Sequence, residues 1–283
     1  MDEQKYCIWI VSPPGYTHSR CFEEVALGLS EAFGALGYAA PVVTQPELVT
    51  GTAVILGCNL LGPIEPPAGA ILFNLEQISL DSVWLGNGYV DLLRRHRVWD
   101  YSIKNIAALA ESGITATLCE IGYTPGLTRI SPAPAQDIDV LFVGSMNERR
   151  LAVLQGLADR GVNVFTAFNA YGPERDALCA RAKIVLNIHY YEAKVLEIVR
   201  VSYLLANRIV VVSESGQDTA LEASLADGIA FAPYDELMQT CLRLLADDDS
   251  RAALGQRGFE IFATRDQAAM LNAALNAPAG ALS

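Results

Sequence analysis

Leu186-Asn-Ile-His-Tyr-Tyr-Glu-Ala-Lys-Val-Leu-Glu-Ile-Val-Arg200 is the stretch on which the fold turns. Residues 182–188 carry an apolar run of strand length and 189–192 a short polar loop. The spacing of Val195, Ile198, Val199 and Ser202 then predicts a helix over 193–205. In an open parallel sheet, a strand-to-helix junction of this kind is where ligands bind. The carboxyl end of the strand and the unpaired N–H groups of the helix N-terminus open on the same crevice. Lys194 and Glu197 stand three apart, so on a helix they share one face close to that N-terminus. A cation there meets a phosphate, and a carboxylate there accepts two adjacent hydroxyls of a sugar ring. The pattern therefore predicts a site for a sugar nucleotide.

Outward from this junction the chain alternates strands and helices nearly throughout. Strands are expected at 6–11, 39–43, 52–56, 70–74, 97–101 and 115–119, then at 139–143, 163–165, 183–187, 209–212 and 228–231. Helices are expected at 18–35, 89–95 and 103–111, then at 148–159, 173–181, 193–205, 234–246 and 250–262, with a last one over 266–275. Alternation at this spacing means βαβ units, hence parallel sheets covered on both faces. The run Pro125-Gly-Leu-Thr-Arg-Ile-Ser-Pro-Ala-Pro-Ala-Gln136 breaks the pattern with three prolines and a glycine, and Asp-Ile-Asp-Val-Leu-Phe-Val-Gly144 starts a new sheet. The expected organisation is an α/β chain of two Rossmann-like domains, 1–130 and 137–265, facing each other across a cleft. Residues 266–283 form a helix and tail that pack back on the first domain, with 276–283 a mobile end. A cleft between domains is a favoured ligand site.

Bulk properties narrow the function classes. The chain has 283 residues, 52% of them hydrophobic, enough for two full-sized cores. A net charge of −12 leaves no broad basic surface to neutralise a nucleic-acid backbone, so nucleic acid is excluded as a partner. Six scattered cysteines contain no Cys-x-x-Cys pair and read as separate buried thiols. Three histidines, His18, His96 and His189, lack metal-ligand spacing, so no metal is expected. The first residues lack the basic start and apolar core of a signal peptide, and no apolar run is long enough to cross a bilayer. A cytoplasmic protein is expected, with its oligomeric state left open.

Other junctions carry further candidates. Gly144-Ser-Met-Asn-Glu-Arg-Arg150 follows a strand and opens a helix. Gly144 lets the backbone approach an oxyanion, Ser145 or Asn147 caps the helix, and Arg149 or, preferentially, Arg150 neutralises a diphosphate. Tyr190 and Tyr191 either stack on a nucleobase or fill an interface. In the first half, Ser12-Pro-Pro-Gly-Tyr-Thr-His-Ser-Arg20 places His18 near a helix start. Phe73-Asn-Leu-Glu-Gln77 places Glu76 at a strand end. Either residue suits a general base, a histidine by its near-neutral pKa and a carboxylate through partial burial. His96, beside Arg94, Arg95 and Arg97, is most simply a solvated helix end. Asp137-Ile-Asp139 has the look of a metal-binding Asp-x-Asp, but it lies at the start of a strand, away from the ligand-bearing edge.

Several of these segments together resemble the two-Rossmann-domain glycosyltransferases, the GT-B fold. The nearest likeness is to bacterial glycosyltransferase family 1-like proteins related to the CgeB and DUF3880 groups. The likeness is carried by Phe73-Asn-Leu-Glu-Gln77, Val98-Trp-Asp-Tyr-Ser102, Ile121-Gly-Tyr123, Leu141-Phe-Val-Gly-Ser-Met-Asn-Glu-Arg-Arg150 and the stretch 186–200. Phe231-Ala-Pro-Tyr-Asp-Glu-Leu237 and Leu245-Ala-Asp-Asp-Asp-Ser-Arg251 extend it. The resemblance implies a donor domain at the C-terminal side, holding a nucleotide-diphosphate sugar, and an acceptor domain at the N-terminal side. It implies no cofactor beyond the sugar-nucleotide substrate, for which UDP is the default. Many such enzymes carry a Glu-x7-Glu pair at the central junction. Here the second glutamate matches Glu197, while His189 stands eight residues earlier, which leaves the anomeric outcome open. Lys194 matches a basic residue directed at the diphosphate. The expected donor-binding set is thus Gly144, Ser145, Arg150, His189, Tyr191, Lys194 and Glu197, with His18 or Glu76 as catalytic base. A sugar-nucleotide epimerase of the same fold and a non-catalytic nucleotide- or sugar-binding protein are the alternatives.

Overall fold

The computed structural model describes residues 6–78, 88–191 and 193–277. Glu192 and the tail beyond 277 therefore lie outside the described residues. The chain divides into two compact units, one running through Gly126 and resuming at Arg265, the other spanning Leu127–Thr264.

The first unit holds β1 (Tyr6–Ile10), α1 (Glu23–Ala35), β2 (Val42–Val43), β3 (Thr52–Leu56), β4 (Ile71–Asn74), α2 (Tyr89–Arg94), β5 (Arg97–Asp100), α3 (Ile103–Glu111) and β6 (Ala116–Leu118). Its six strands pair in parallel in the order β2-β1-β3-β4-β5-β6. The strands are apolar on both faces because helices cover both, as an all-parallel sheet requires. Trp9, Ile55, Leu72 and Val98 form the core on one face with Tyr89, Leu93 and Leu109 from the helices.

The second unit contains β7 (Ile138–Val143), α4 (Glu148–Ala158), β8 (Val164–Ala167), α5 (Gly172–Arg181), β9 (Ala182–Asn187), α6 (Ile198–Ala206), β10 (Val211–Glu214), α7 (Thr219–Leu225), β11 (Ala230–Ala232), α8 (Leu237–Leu245) and α9 (Asp248–Ala263). Its parallel sheet runs β11-β10-β9-β7-β8. The last helix, α10 (Gln267–Asn276), belongs to the first unit and packs on α1. Arg97 donates to Ala274 O at 2.8 Å, satisfying a carbonyl at the end of α10. No described helix is long and apolar enough to cross a membrane.

Both sheets have the same reversal. The chain adds its second strand on one side of the first and its third on the other. The switch points therefore lie between β1 and β3 and between β7 and β9, and ligands of such sheets bind outside the carboxyl ends of those strands.

The division between units falls at Gly126, within the break expected at 125–136. Thr128 Oγ1 donates to Ala206 O, and the amides of Arg129 and Ile130 both donate to Asn207 Oδ1, so this segment is bound into the second unit. The helix expected over 193–205 begins only at Ile198. Lys194 takes a left-handed backbone (φ 46°), which no α-helix includes, and Val195 and Leu196 are both fully buried in the loop. Finally, α7 had no counterpart in the expected order.

Close packing in the second unit depends on two glycines one turn apart on α9. A β-carbon on Gly258 would lie 2.7 Å from Gly228 O and 2.9 Å from Leu205 Cδ2, and one on Gly255 would lie 2.5 Å from Arg208 O. Backbone at these distances has no rotamer to yield. Gly258→Ala is expected to destabilise the protein by about 1–3 kcal/mol, the usual cost of overpacking, and to lower the thermal midpoint in a calorimetric scan. An unchanged midpoint would mean that α9 shifts freely.

Candidate functional site

The carboxyl edge of the second sheet gathers the ends of β7, β9 and β10. After β7, Gly144 adopts φ 150°, a conformation that side chains disfavour. Two guanidinium groups converge there. Arg200 Nη2 and Arg150 Nη1 lie 3.4 and 3.7 Å from where a β-carbon of Gly144 would stand. Arg150 is only 2% exposed. Its Nε and Nη2 donate to Ile188 O and its Nη1 to Ser145 O, so it ties the loop after β7 to the end of β9. Burial first, and then the charge of Arg200, lower its pKa to about 10, with Glu197, Tyr190 and Glu214 acting in the opposite direction. Arg150 thus stays protonated, but as a bracket inside the site. Arg200, from the first turn of α6, presents its charge beside Gly144 as well. Asn147 caps α4 by accepting from Arg150 N, and Ser145 is exposed before it.

After β9, His189 is fully buried and contacts Glu197 through Nδ1 at 3.2 Å. Asn187, the last residue of β9, donates its Nδ2 to Glu197 Oε2 at 2.8 Å and to Ser213 Oγ at 3.1 Å. Burial works to raise the Glu197 carboxyl. The His189 hydrogen bond and charge, the Arg200 charge and the Asn187 amide outweigh it and hold the pKa at about 2. An ionised partner assigns a proton to Nδ1 of His189. Its Nε2 has no hydrogen-bond partner among the described residues and faces Gly216, 2.8 Å from where a β-carbon there would stand. The two residues that stand in the Glu-x7-Glu positions are therefore in contact.

Lys194 is not on a helix face with Glu197. Its Nζ donates to Glu214 Oε1 at 3.1 Å, and Arg149 Nη2 donates to the same oxygen at 2.7 Å. Glu214 ends β10, is 1% exposed and also accepts from His189 N. Burial raises its pKa, but Arg149 and Lys194 prevail and lower it. Glu214, Asn187 and Arg200 were not among the expected site residues. Tyr191 is 37% exposed and stands edge to face with Tyr190 at 5.0 Å.

In the first unit, the candidates also lie past strand ends. His18 sits in a 3-10 turn, Thr17–Phe22, with its ring 5.3 Å from that of Tyr16. Glu76, two residues beyond β4, accepts from Asn59 Nδ2 at 3.2 Å. Burial and then the charge of Glu76 raise the Tyr16 phenol, so Tyr16 belongs to the same neighbourhood. Asp137 and Asp139, at the opposite edge of the second sheet, pair with Arg181 and Lys183. Among the described residues no group of His, Cys, Asp and Glu is arranged to hold a metal ion.

The depressed Glu197 pKa has a consequence for stability. Its contribution is fully present above the ordinary value of 4.5 and is lost as pH falls through about 2. The stability advantage of the wild type over Glu197→Gln is expected to be constant above pH 5 and to shrink below 4.5 in denaturant melts. A difference independent of pH would contradict the ionised pairing.

No family model matches the chain. An uncharacterised protein of Acanthamoeba polyphaga mimivirus is 30% identical over 197 residues, covering 65% of this chain and 62% of its own. A second from the same virus is 27% identical over 191 residues, 63% of this chain and 25% of its own. The chain thus spans less than two thirds of the length of these relatives. Among solved structures, HepE from Anabaena, in complex with UDP and glucose, aligns with a TM-score of 0.65 at 12% identity over 95% of this chain and 97% of that one. WaaG, a glycosyltransferase involved in lipopolysaccharide biosynthesis, aligns at 0.60 and 13% identity over 96% and 98%. Sucrose-phosphate synthase from Thermosynechococcus elongatus aligns at 0.57 and 12% over 95% and 98%. At such identities the likeness concerns the fold alone: two parallel-sheet, Rossmann-like units, the architecture of the GT-B glycosyltransferases.

Proposed function

We propose that the chain is a cytoplasmic glycosyltransferase, of the group related to CgeB and DUF3880, that moves a hexose-like sugar from a UDP-sugar to a hydroxyl acceptor without a required metal. The carrying observation is the convergence of Arg200 and Arg150 on the bare backbone of Gly144, at the switch point of the second sheet. The charge of Arg200 lowers the pKa of Arg150, and a diphosphate at Gly144 meets both guanidinium groups. The HepE complex with UDP supports the choice of nucleotide. In this proposal the second unit holds the donor. Glu197 accepts the ribose hydroxyls, Tyr191 stacks on the base, and Gly144, Ser145 and the α4 N-terminus offer N–H groups to the phosphates. Arg200 and Arg150 stabilise the negative charge that develops on the leaving diphosphate. Lys194 acts by fixing Glu214 and the loop that leads to Glu197. His189 orients Glu197 through Nδ1 and offers Nε2 to the sugar. In the first unit Glu76 or His18 takes the proton of the acceptor hydroxyl as it attacks the anomeric carbon.

Incubation with UDP-glucose, with and without candidate hydroxyl acceptors, followed by mass spectrometry tests this reading. The expected products are UDP and a glucosylated acceptor. An isomerised sugar nucleotide formed without acceptor would show an epimerase. Bound but unconsumed donor would show a binding protein.

A further inference from the structure

The groups around Glu76 form a buried polar network. Asn74 and Asp100 end the adjacent strands β4 and β5 and face each other in register. Both are fully buried, as is Asn105 on α3. Asp100 Oδ2 accepts from Asn74 Nδ2 at 2.6 Å, while Oδ1 accepts from Ser102 N at 2.9 Å and Asn105 Nδ2 at 3.2 Å. The same two amides grip the main chain around Glu76. Asn74 Nδ2 and Asn105 Nδ2 each donate to Glu76 O at 2.9 Å. Asn74 Oδ1 accepts from Glu76 N at 3.4 Å and from Tyr89 Oη at 2.8 Å, and Asn105 Oδ1 accepts from Ile78 N at 3.0 Å.

We propose that Asp100 is a positioning residue for Glu76: its carboxylate sets the orientation of the Asn74 and Asn105 amides, and they hold the Glu76 backbone. The inference rests on the reading of Glu76 as the group that acts on the acceptor. An amide side chain has a donor end and an acceptor end of nearly the same shape, and only its partners decide which way it points. Asp100 accepts three N–H donors through its two oxygens, so it turns both NH2 groups toward itself and both amide oxygens toward the N–H groups of Glu76 and Ile78.

Such a carboxylate is costly. Burial pushes Asp100 up to about 8, although Asn74, Ser102 and Asn105 all pull it down. A site that needed packing alone is served as well by an apolar side chain. A costly ionisable group at a strand end, joined through one amide side chain to the main chain of a candidate base, marks a functional constraint. Asn59 completes the arrangement by donating to Glu76 Oε1, so backbone and carboxylate are both held.

Asp100→Asn tests the proposal in the full chain. Asparagine has nearly the same shape but turns an NH2 toward one of its former donors, which forces Asn74 or Asn105 to flip and withdraw its oxygen. Amide hydrogen exchange is expected to accelerate about tenfold at Glu76 and Ile78, with the β1 and β3 amides unchanged. Turnover of UDP-glucose is expected to fall about tenfold or more, while UDP affinity stays within about twofold. In a Glu76→Gln background, Asp100→Asn is expected to lower turnover no further, because it acts through Glu76. Asn105→Ala, which removes part of the grip and leaves Asp100 in place, is expected to accelerate exchange at Ile78 even if Asp100→Asn fails to fold.

Unchanged exchange at Glu76 and Ile78 would overturn the proposal. So would an equal loss of turnover with and without the Glu76 carboxylate. A wild-type chain that does not bind UDP would instead overturn the nucleotide-sugar reading. Amide exchange would still decide the role of Asp100.

Discussion

Glu197→Ala is expected to weaken UDP binding by roughly 10- to 100-fold, or about 1.5–3 kcal/mol, the range for hydrogen bonds to a charged group. The carboxylate is ionised at any physiological pH, because His189, Arg200 and Asn187 hold its pKa at about 2 against burial. In the proposed complex it accepts from the ribose hydroxyls. Two effects of the substitution oppose each other. Loss of the acceptor weakens binding, while loss of a negative charge leaves the field of Arg150 and Arg200 more favourable to a diphosphate. The second effect alters only the field at the phosphates, whereas the first removes a direct contact. Weakening should therefore win. Glu197→Gln retains one acceptor and should fall between the wild type and alanine. Calorimetric titration of the three proteins with UDP measures this series. Equal affinities would remove Glu197 from the donor site.

The second large effect is expected in the other unit. Glu76→Ala or His18→Ala should lower turnover of a UDP-sugar by about 10²–10⁴-fold for whichever residue is the base, and leave UDP affinity nearly unchanged. The Glu76 carboxylate accepts from Asn59 and its main chain is held by Asn74 and Asn105, while His18 sits in a 3-10 turn with its ring beside that of Tyr16. Steady-state kinetics beside UDP titration separates the two roles. Should His18→Ala lose UDP affinity while Glu197→Ala keeps it, the division of labour between the units is reversed.

The alternation of apolar runs and amphipathic helices made the doubly wound fold legible, because a parallel sheet covered on both faces needs continuous apolar strands. The stretch at 186–200 was legible as a junction but not as a shape. Val195, Ile198 and Val199 have helical spacing, yet the chain instead buries Val195 and Leu196 in a loop and turns through a left-handed Lys194. Spacing reports which residues are buried, not the backbone that buries them.

His189 and Glu197 stand eight apart in the chain, and that spacing does not show that they touch; the turn at Lys194 brings them together. Glu214 and Asp100 left a usable signal. Each is a carboxylate at the carboxyl end of a strand, where a parallel sheet presents its ligand groups. The fate of Arg150 left none. Arg149 and Arg150 are neighbours in a turn, and only the position of Ile188 O shows that Arg150 points inward while Arg149 pairs with Glu214.

The central claim is that the edge formed by Gly144, His189, Glu197 and Arg200 binds a nucleoside diphosphate. Calorimetric titration of the wild-type chain with UDP, GDP and TDP tests it most directly, with Arg200→Ala as the paired variant. The account predicts UDP binding tighter than millimolar, and a loss of at least about tenfold in Arg200→Ala, the magnitude of one charge-assisted contact to phosphate. Failure of all three nucleotides to bind tighter than millimolar would contradict it, as would UDP binding of unchanged affinity in Arg200→Ala.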